Sequence, residues 1–299
     1  MSTNPTRRNL IMAAGVTTAL TSLSGLAELA QAKSARPTAR LPVIFIGHGS
    51  PMNAIRENGF THRLKAWGAA LPRPSAILSV SAHWLTPGST MVNVQQRPAT
   101  IHDFGGFPKE LHEVEYPAPG APEFAYAAAK LVRQGAVRAT QEWGVDHGTW
   151  TVLRHMYPKA DIPVFQLSID YERAGIHHYA IGRELAALRD RGVLIMGSGN
   201  IVHNLRTLDR SAADGPNATQ AWAQDFDTAV KKALDARDDK RLIDHQKLGS
   251  AAAMAVPTPD HYFPFLYALG AAGADEKART VFDGFQSGTL GMRCLQFGG

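Results

Sequence analysis

The chain reads as an α/β protein: a single domain built on a central sheet, mostly parallel or mixed, with helices on both faces and a site at the carboxyl ends of the strands. Three observations predict this. Short apolar runs of strand length recur along the chain, segments with helical apolar spacing lie between and after them, and 299 residues at 44% hydrophobic content can bury a large core. No internal repeat, low-complexity tract or mid-chain linker divides it, so one domain over 41–299 is the simplest organisation.

In chain order, the first strand is Val43 to Ile46 in "PVIFIGHGSPM", a continuous run of β-branched and aromatic residues of the kind covered on both faces. It stops at His48, held between Gly47 and Gly49, with Pro51 blocking simple continuation. Further strands are predicted at Ser75–Ala82, Ile162–Ile169 and Gly192–Gly199. Helical spacing is read at Pro122–Gln134, Gly175–Arg191, Ala221–Ala236, Arg241–Ala253 and His261–Ala272. Open α/β sheets bind ligands beyond the carboxyl ends of their strands. Here the first strand runs into His48, the second into His83-Trp84, the third into Asp170 and the fourth toward His203, so three of four deliver a histidine to one edge.

The N-terminus carries a different signal. Residues 1–32 contain the Arg7-Arg8 pair, a moderately apolar stretch from Leu10 to about Ala30 and the small-residue site Ala30-Gln31-Ala32, which reads as a twin-arginine export signal. Gly15 and Gly25 and several Ser and Thr interrupt the stretch and make it a poor spanning helix. A polar linker, 33–40, follows. This predicts a periplasmic protein that uses the twin-arginine machinery and has no stable membrane insertion after cleavage, with a cytoplasmic location as the lesser reading. Formal charge is +5, and +4 without the signal; no dense Lys/Arg cluster suggests nucleic acid. Cys294 is the only cysteine, so no intrachain disulfide forms.

Imidazole suits Zn, Fe, Cu and Ni, and a catalytic site often takes three protein ligands and leaves positions open. His48, His83 and His261 form the best triple, with Asp260 competing for the third place as in 2-His-1-carboxylate sites. His102 and His147 sit in glycine-containing loops beside an aspartate. His62, His112, His155, His177, His178 and His245 read as solvated or packing positions. Trp84, Phe104 and Phe107 are candidates for the wall of an aromatic pocket, with core packing the equal alternative.

The segments "GHGSPMNAI", "SAHW", "IHDFGGFPKELHEVEYPAPG", "DHGTWTVLRHMYPKADIPVFQLSID", "GSGNIVHNLR" and "DHYFPFLYALGAA" resemble, in order, the class III extradiol ring-opening dioxygenases, in their 4,5-DOPA dioxygenase-like branch. The resemblance implies one divalent metal, Fe(II) for activity with Zn(II) able to replace it, held by His48, His83 and His261. It implies His203 beside the metal as an acid/base, or as a fourth ligand when zinc is bound, and His147 facing substrate or oxygen. The implied reaction opens the ring of a small aromatic diol with O2 to a muconic semialdehyde. More distant relatives carry a glutamate as third ligand; the export signal departs from typical members. Two readings from other classes remain: a zinc hydrolase on the same histidines, and a non-catalytic periplasmic metal-binding protein, although the clustered His/Met tracts that would favour the latter are lacking.

Overall fold

The computed structural model describes residues 40–209 and 219–299. The export segment and all of the linker but Arg40 lie outside them. Strands β1 (Val43–Gly47), β2 (Ala76–Thr86), β3 (Thr90–Asn93), β4 (Val137–Thr140), β5 (Val164–Asp170), β6 (Val193–Gly199), β7 (Ala278–Phe282) and β10 (Cys294–Phe297) form one sheet in the order β4-β3-β5-β2-β6-β1-β10-β7; β8 (Phe285–Gln286) and β9 (Leu290–Gly291) make a small hairpin. Among the described residues, the helices of nine or more residues are α1 (Gly59–Ala70), α2 (Pro122–Leu131), α3 (His147–Met156), α4 (Gly175–Leu185), α5 (Ala221–Asp235) and α6 (Phe263–Ala271).

The four strands read from the sequence are the four neighbours β5, β2, β6 and β1, all mutually parallel. Each is buried on both faces, which is why each is an apolar run rather than an alternating one. Val43 and Phe45 of β1 face one core with α2, α4, α5 and α6, whereas Ile44 and Ile46 face a second with α1 and α3. The parallel direction sends four carboxyl ends to one edge. β10 pairs antiparallel with β1 on its far side, and Gly47 N–H donates to the carbonyl of Arg293 at 3.0 Å, so the end of β1 is held by the last strand of the domain.

The structure differs from the sequence reading in several elements. The sheet is mixed, within the expected class, but twice as wide as the four predicted strands, with β3, β4, β7 and β10 added. β2 runs on through His83 to Thr86, and its register with β5 shifts between Val80 and Leu85. The helix expected over Arg241–Ala253 is broken into Asp239–Ile243, His245–Leu248 and Ala252–Ala255: Asp244 leaves helical geometry at φ -101°, ψ 65°, and Gly249 takes φ 139°. The helix expected from Gly175 to Arg191 narrows to 3-10 geometry after Leu185. His147 is not in a loop: it is the first residue of α3, with Asp146 as N-cap accepting from Thr149 N–H at 3.2 Å. His261 lies just before α6 rather than within it.

Candidate metal centre

His48 leaves β1 into a loop tied back to the sheet. Its N–H donates to Gly199 O at 3.0 Å, and its own carbonyl accepts from Asn53 Nδ2 at 3.1 Å. Asn53 and Gln286 exchange amide hydrogen bonds of 2.9 and 3.2 Å, which join this loop to the β8–β9 hairpin. His83 sits at the irregular stretch of β2. His261 is set by the close approach of the chain before α6 to β6. Its carbonyl accepts from Asn200 N–H at 2.9 Å, and Gly199 leaves no room for a side chain, since a Cβ there would stand 2.2 Å from His261 O. His203 lies in the loop after β6, its N–H donating to Ala255 O at 2.9 Å.

These elements bring the predicted triple together. Ring nitrogens of His48, His83 and His261 lie within 4.8 Å of one another, and Nε2 of His48 is 3.3 Å from Nε2 of His83. Two ligands about 2.1 Å from one ion at the tetrahedral angle stand about 3.4 Å apart, so this spacing suits a shared ion. The other ring nitrogens are occupied. Ser198 Oγ donates to Gly148 O and therefore accepts from His48 Nδ1 at 3.0 Å; His83 Nδ1 is 3.4 Å from Asp103 Oδ2; His261 Nδ1 bonds Asp260 Oδ2. With each Nδ1 facing an acceptor, each Nε2 keeps its lone pair for a metal. Asp260, the competing ligand in the sequence, here orients His261.

Electrostatics favour the neutral, ligating form. Burial lowers the pKa of His48 and His83 well below the usual imidazole value, and the neighbouring histidines push the same way. Burial, then His261, pushes His203 down to about 3. For Asp260, burial opposes ionisation but the bond with His261 outweighs it, so the carboxyl stays well below its ordinary range. Three imidazoles backed by carboxylates and a hydroxyl, at a buried strand edge, fit one divalent cation.

Two further predicted residues flank the triple. The rings of His203 and His261 are stacked, with centroids 3.5 Å apart and planes within 4° of parallel. His147 stands 3.8 Å from His83 by ring centroids, and its Nδ1 is 2.9 Å from Asp103 Oδ2. Phe104 lies 5.4 Å from the His147 ring and 5.4 Å from Phe107, so both line this side. Trp84 does not join them: it is buried and stacks on Trp143 at 5.6 Å. His102 bonds Val114 O and His155 bonds Asn53 O, both packing roles. Asp103 and Ser198 were not singled out by sequence reasoning. The signal for Asp103 was its place in "IHDFGG", beside a histidine that itself takes no part in the cluster.

Comparison with known proteins identifies the family. Residues 42–296 match the family described as the catalytic LigB subunit of aromatic ring-opening dioxygenase. The chain is 43% identical over 266 residues to the 4,5-DOPA dioxygenase extradiol of Escherichia coli (strain K12), covering 87% of this chain and 95% of that one. The corresponding protein of Beta vulgaris is 37% identical over 259 residues, covering 85% and 95%. A crystal structure of an uncharacterized protein from Escherichia coli K12 superposes with a TM-score of 0.75 at 39% identity, covering 87% of this chain and all of that one. With the family match running from the first strand to the last, and the histidines converging where its parallel strands end, the chain belongs to the LigB family of class III extradiol aromatic ring-opening dioxygenases.

Proposed function

We propose that this protein is a metal-dependent extradiol dioxygenase that opens the ring of a catechol-type, DOPA-like substrate with O2, and that His48, His83 and His261 hold its metal. The observation that carries this reading is the facing pair of Nε2 atoms at 3.3 Å with every Nδ1 of the triple engaged elsewhere. Fe(II) is assigned as the active ion, with Zn(II) able to sit on the same nitrogens. When bound, the metal brings the diol and O2 together and supplies the charge and redox chemistry.

The residues around it bind and move protons. His203 is assigned as the acid/base rather than a fourth ligand, on a geometric ground. Lone pairs lie in the ring planes, and parallel rings 3.5 Å apart direct theirs along lines that do not meet. An ion midway between them would stand about 1.7 Å out of both planes, a poor ligand geometry. His203 is thus free to face a substrate hydroxyl as a neutral hydrogen-bond acceptor, the position from which a proton is passed during the reaction. His147 faces the same space from the His83 side, where Phe104 and Phe107 offer an apolar wall for an aromatic ring.

The test is anaerobic loading with Fe(II), then addition of DOPA and oxygen, following O2 uptake and the coloured semialdehyde. His83→Ala should lose the metal, whereas His203→Ala should keep it and turn over roughly 10²–10⁴-fold more slowly. Iron-loaded protein that consumes no oxygen with any catechol would refute the assignment. We also propose periplasmic delivery by the twin-arginine route, supported by Arg7-Arg8 and Ala30-Gln31-Ala32. Replacing both arginines by lysine should leave the protein in the cytoplasm; unchanged delivery would refute the route.

A further inference from the structure

Asp103 occupies an unusual place between two histidines of different assignment. Its backbone sits in an irregular segment, 101–108, that is tied down by other residues on either side. Ile101 N–H donates to Val145 O at 2.8 Å, the Trp150 indole donates to Ile101 O at 2.9 Å, and the His102 ring bonds Val114 O at 2.9 Å. The carboxylate is therefore delivered to the site by a loop whose anchoring does not depend on it.

Both carboxylate oxygens are directed at the histidines. Oδ1 accepts the backbone N–H of His147, the first of α3, at 2.9 Å. Oδ2 lies 2.9 Å from His147 Nδ1 and 3.4 Å from His83 Nδ1. One oxygen atom thus serves two rings, whose centroids are 3.8 Å apart and whose planes are tilted by 46°. An ionised carboxylate only accepts hydrogen bonds, so each ring can face it only with the proton on Nδ1. In the neutral ring each Nε2 is then bare. For His83 that nitrogen is the one facing His48.

We propose that Asp103 is a positioning residue that sets His83 and His147 as a coupled pair, fixing both in the Nδ1–H tautomer so that His83 offers Nε2 to the metal and His147 offers Nε2 to substrate or dioxygen. The proposal rests on the assignment of His83 as a metal ligand. It goes further in making the orientation of the non-ligating His147 depend on the same atom that orients the ligand. A group that approaches His147 meets a hydrogen-bond acceptor, suited to the acidic hydrogen of a diol or of a protonated oxygen species, rather than a donor.

Asp103→Asn separates this role from simple packing. The amide has the same shape, and its oxygen can still accept from the His147 backbone. Its NH2 group then faces both Nδ1 atoms and demands an acceptor, which drives His147 to the Nε2–H tautomer. Tautomers are read from side-chain nitrogen shifts of ¹⁵N-histidine-labelled, zinc-loaded protein, and zinc affinity from chelator competition. In the unsubstituted protein, His147 should carry its proton on Nδ1. In Asp103→Asn it should switch, and zinc should bind about 10–100-fold more weakly. A proton on Nε2 of His147 in the unsubstituted protein overturns the proposal, whatever the variant does. Unchanged tautomer and zinc affinity in Asp103→Asn overturn it too, and if His83→Ala then loses zinc, the metal site stands without it. Should His83→Ala bind zinc normally, the metal assignment fails and takes this proposal with it.

Discussion

Gly199→Ala should move His261 and so weaken the metal site, while the neighbouring Gly197→Ala should cost similar stability and spare it. A Cβ at residue 199 would lie 2.2 Å from His261 O, 3.1 Å from its carbonyl carbon and 3.2 Å from Pro264 Cγ. Ordinary contact of carbon with a carbonyl oxygen needs a little over 3 Å, so the segment before α6 must retreat by about 1 Å. Overpacking of this kind costs about 1–3 kcal/mol, and the 2.9 Å bond from Asn200 N–H to His261 O is stretched or lost for about 1 kcal/mol more. At about 2–4 °C per kcal/mol, the melting temperature should fall by roughly 4–15 °C. At residue 197 a Cβ would meet Pro264 O at 2.3 Å, an equal intrusion displaced from the histidine. The assay is thermal melting with zinc or iron affinity and ring-cleavage rate for both variants. A shift of about 1 Å in a reacting geometry can cost about 10²-fold in rate, so Gly199→Ala should lose activity and metal affinity well beyond Gly197→Ala. Equal losses of metal in the two variants, or destabilised Gly199→Ala with undiminished affinity, would show that this close approach does not place His261.

Ser198→Ala removes the acceptor for His48 Nδ1 and should weaken metal binding about 10-fold or more, measured by chelator competition, with only a small drop in melting temperature. Burial pushes His178 down to about 4, where its ring bonds the Tyr267 hydroxyl and Arg173 O. Its folded-state pKa lies below the unfolded value near 6.5, so the unfolded chain binds the extra proton between those values and stability is lost as pH falls from about 6.5 to 4. The share is about 3 kcal/mol, and pH-dependent melting of His178→Gln should show a shallower acid-side decline. Glu276→Ala strands the buried guanidinium of Arg189 near the start of β1 and should cost roughly 2–4 kcal/mol in denaturant unfolding without changing metal affinity.

The contrast between legible and illegible parts of the chain has a physical basis. β1, β2, β5 and β6 could be read because burial on both faces makes a strand a run of apolar residues. β4 ("VRAT") and β7 ("ARTVF") are short, half-exposed edge elements whose composition carries no such run. Apolar spacing runs on through Arg241–Ala253, but the backbone leaves helical angles at Asp244 and again at Gly249. At His147 the glycine that follows reads as a loop, whereas Asp146 caps a helix through Thr149 N–H. Strand direction made three of the site histidines visible, and between Asp260 and His261 the family resemblance implies the histidine as ligand. The partners that orient the rings were beyond reach: Asp103 meets His83 and His147 from 20 and 44 positions away, and no local periodicity records that meeting.

The hold of Arg293 on the end of β1 also fixes an order in time. His48 is the first residue of the site to be synthesised, yet the carbonyl that secures Gly47 belongs to a residue 245 positions later. At roughly 5–20 residues per second, the ribosome takes about 12–50 s to cover that distance. Throughout that interval β1 has no neighbour on its β10 side, and the first imidazole of the site waits in a nascent chain that cannot yet present the completed cluster. The support of the first histidine from this side therefore arrives only with translation of Arg293, after every other histidine of the cluster has been made.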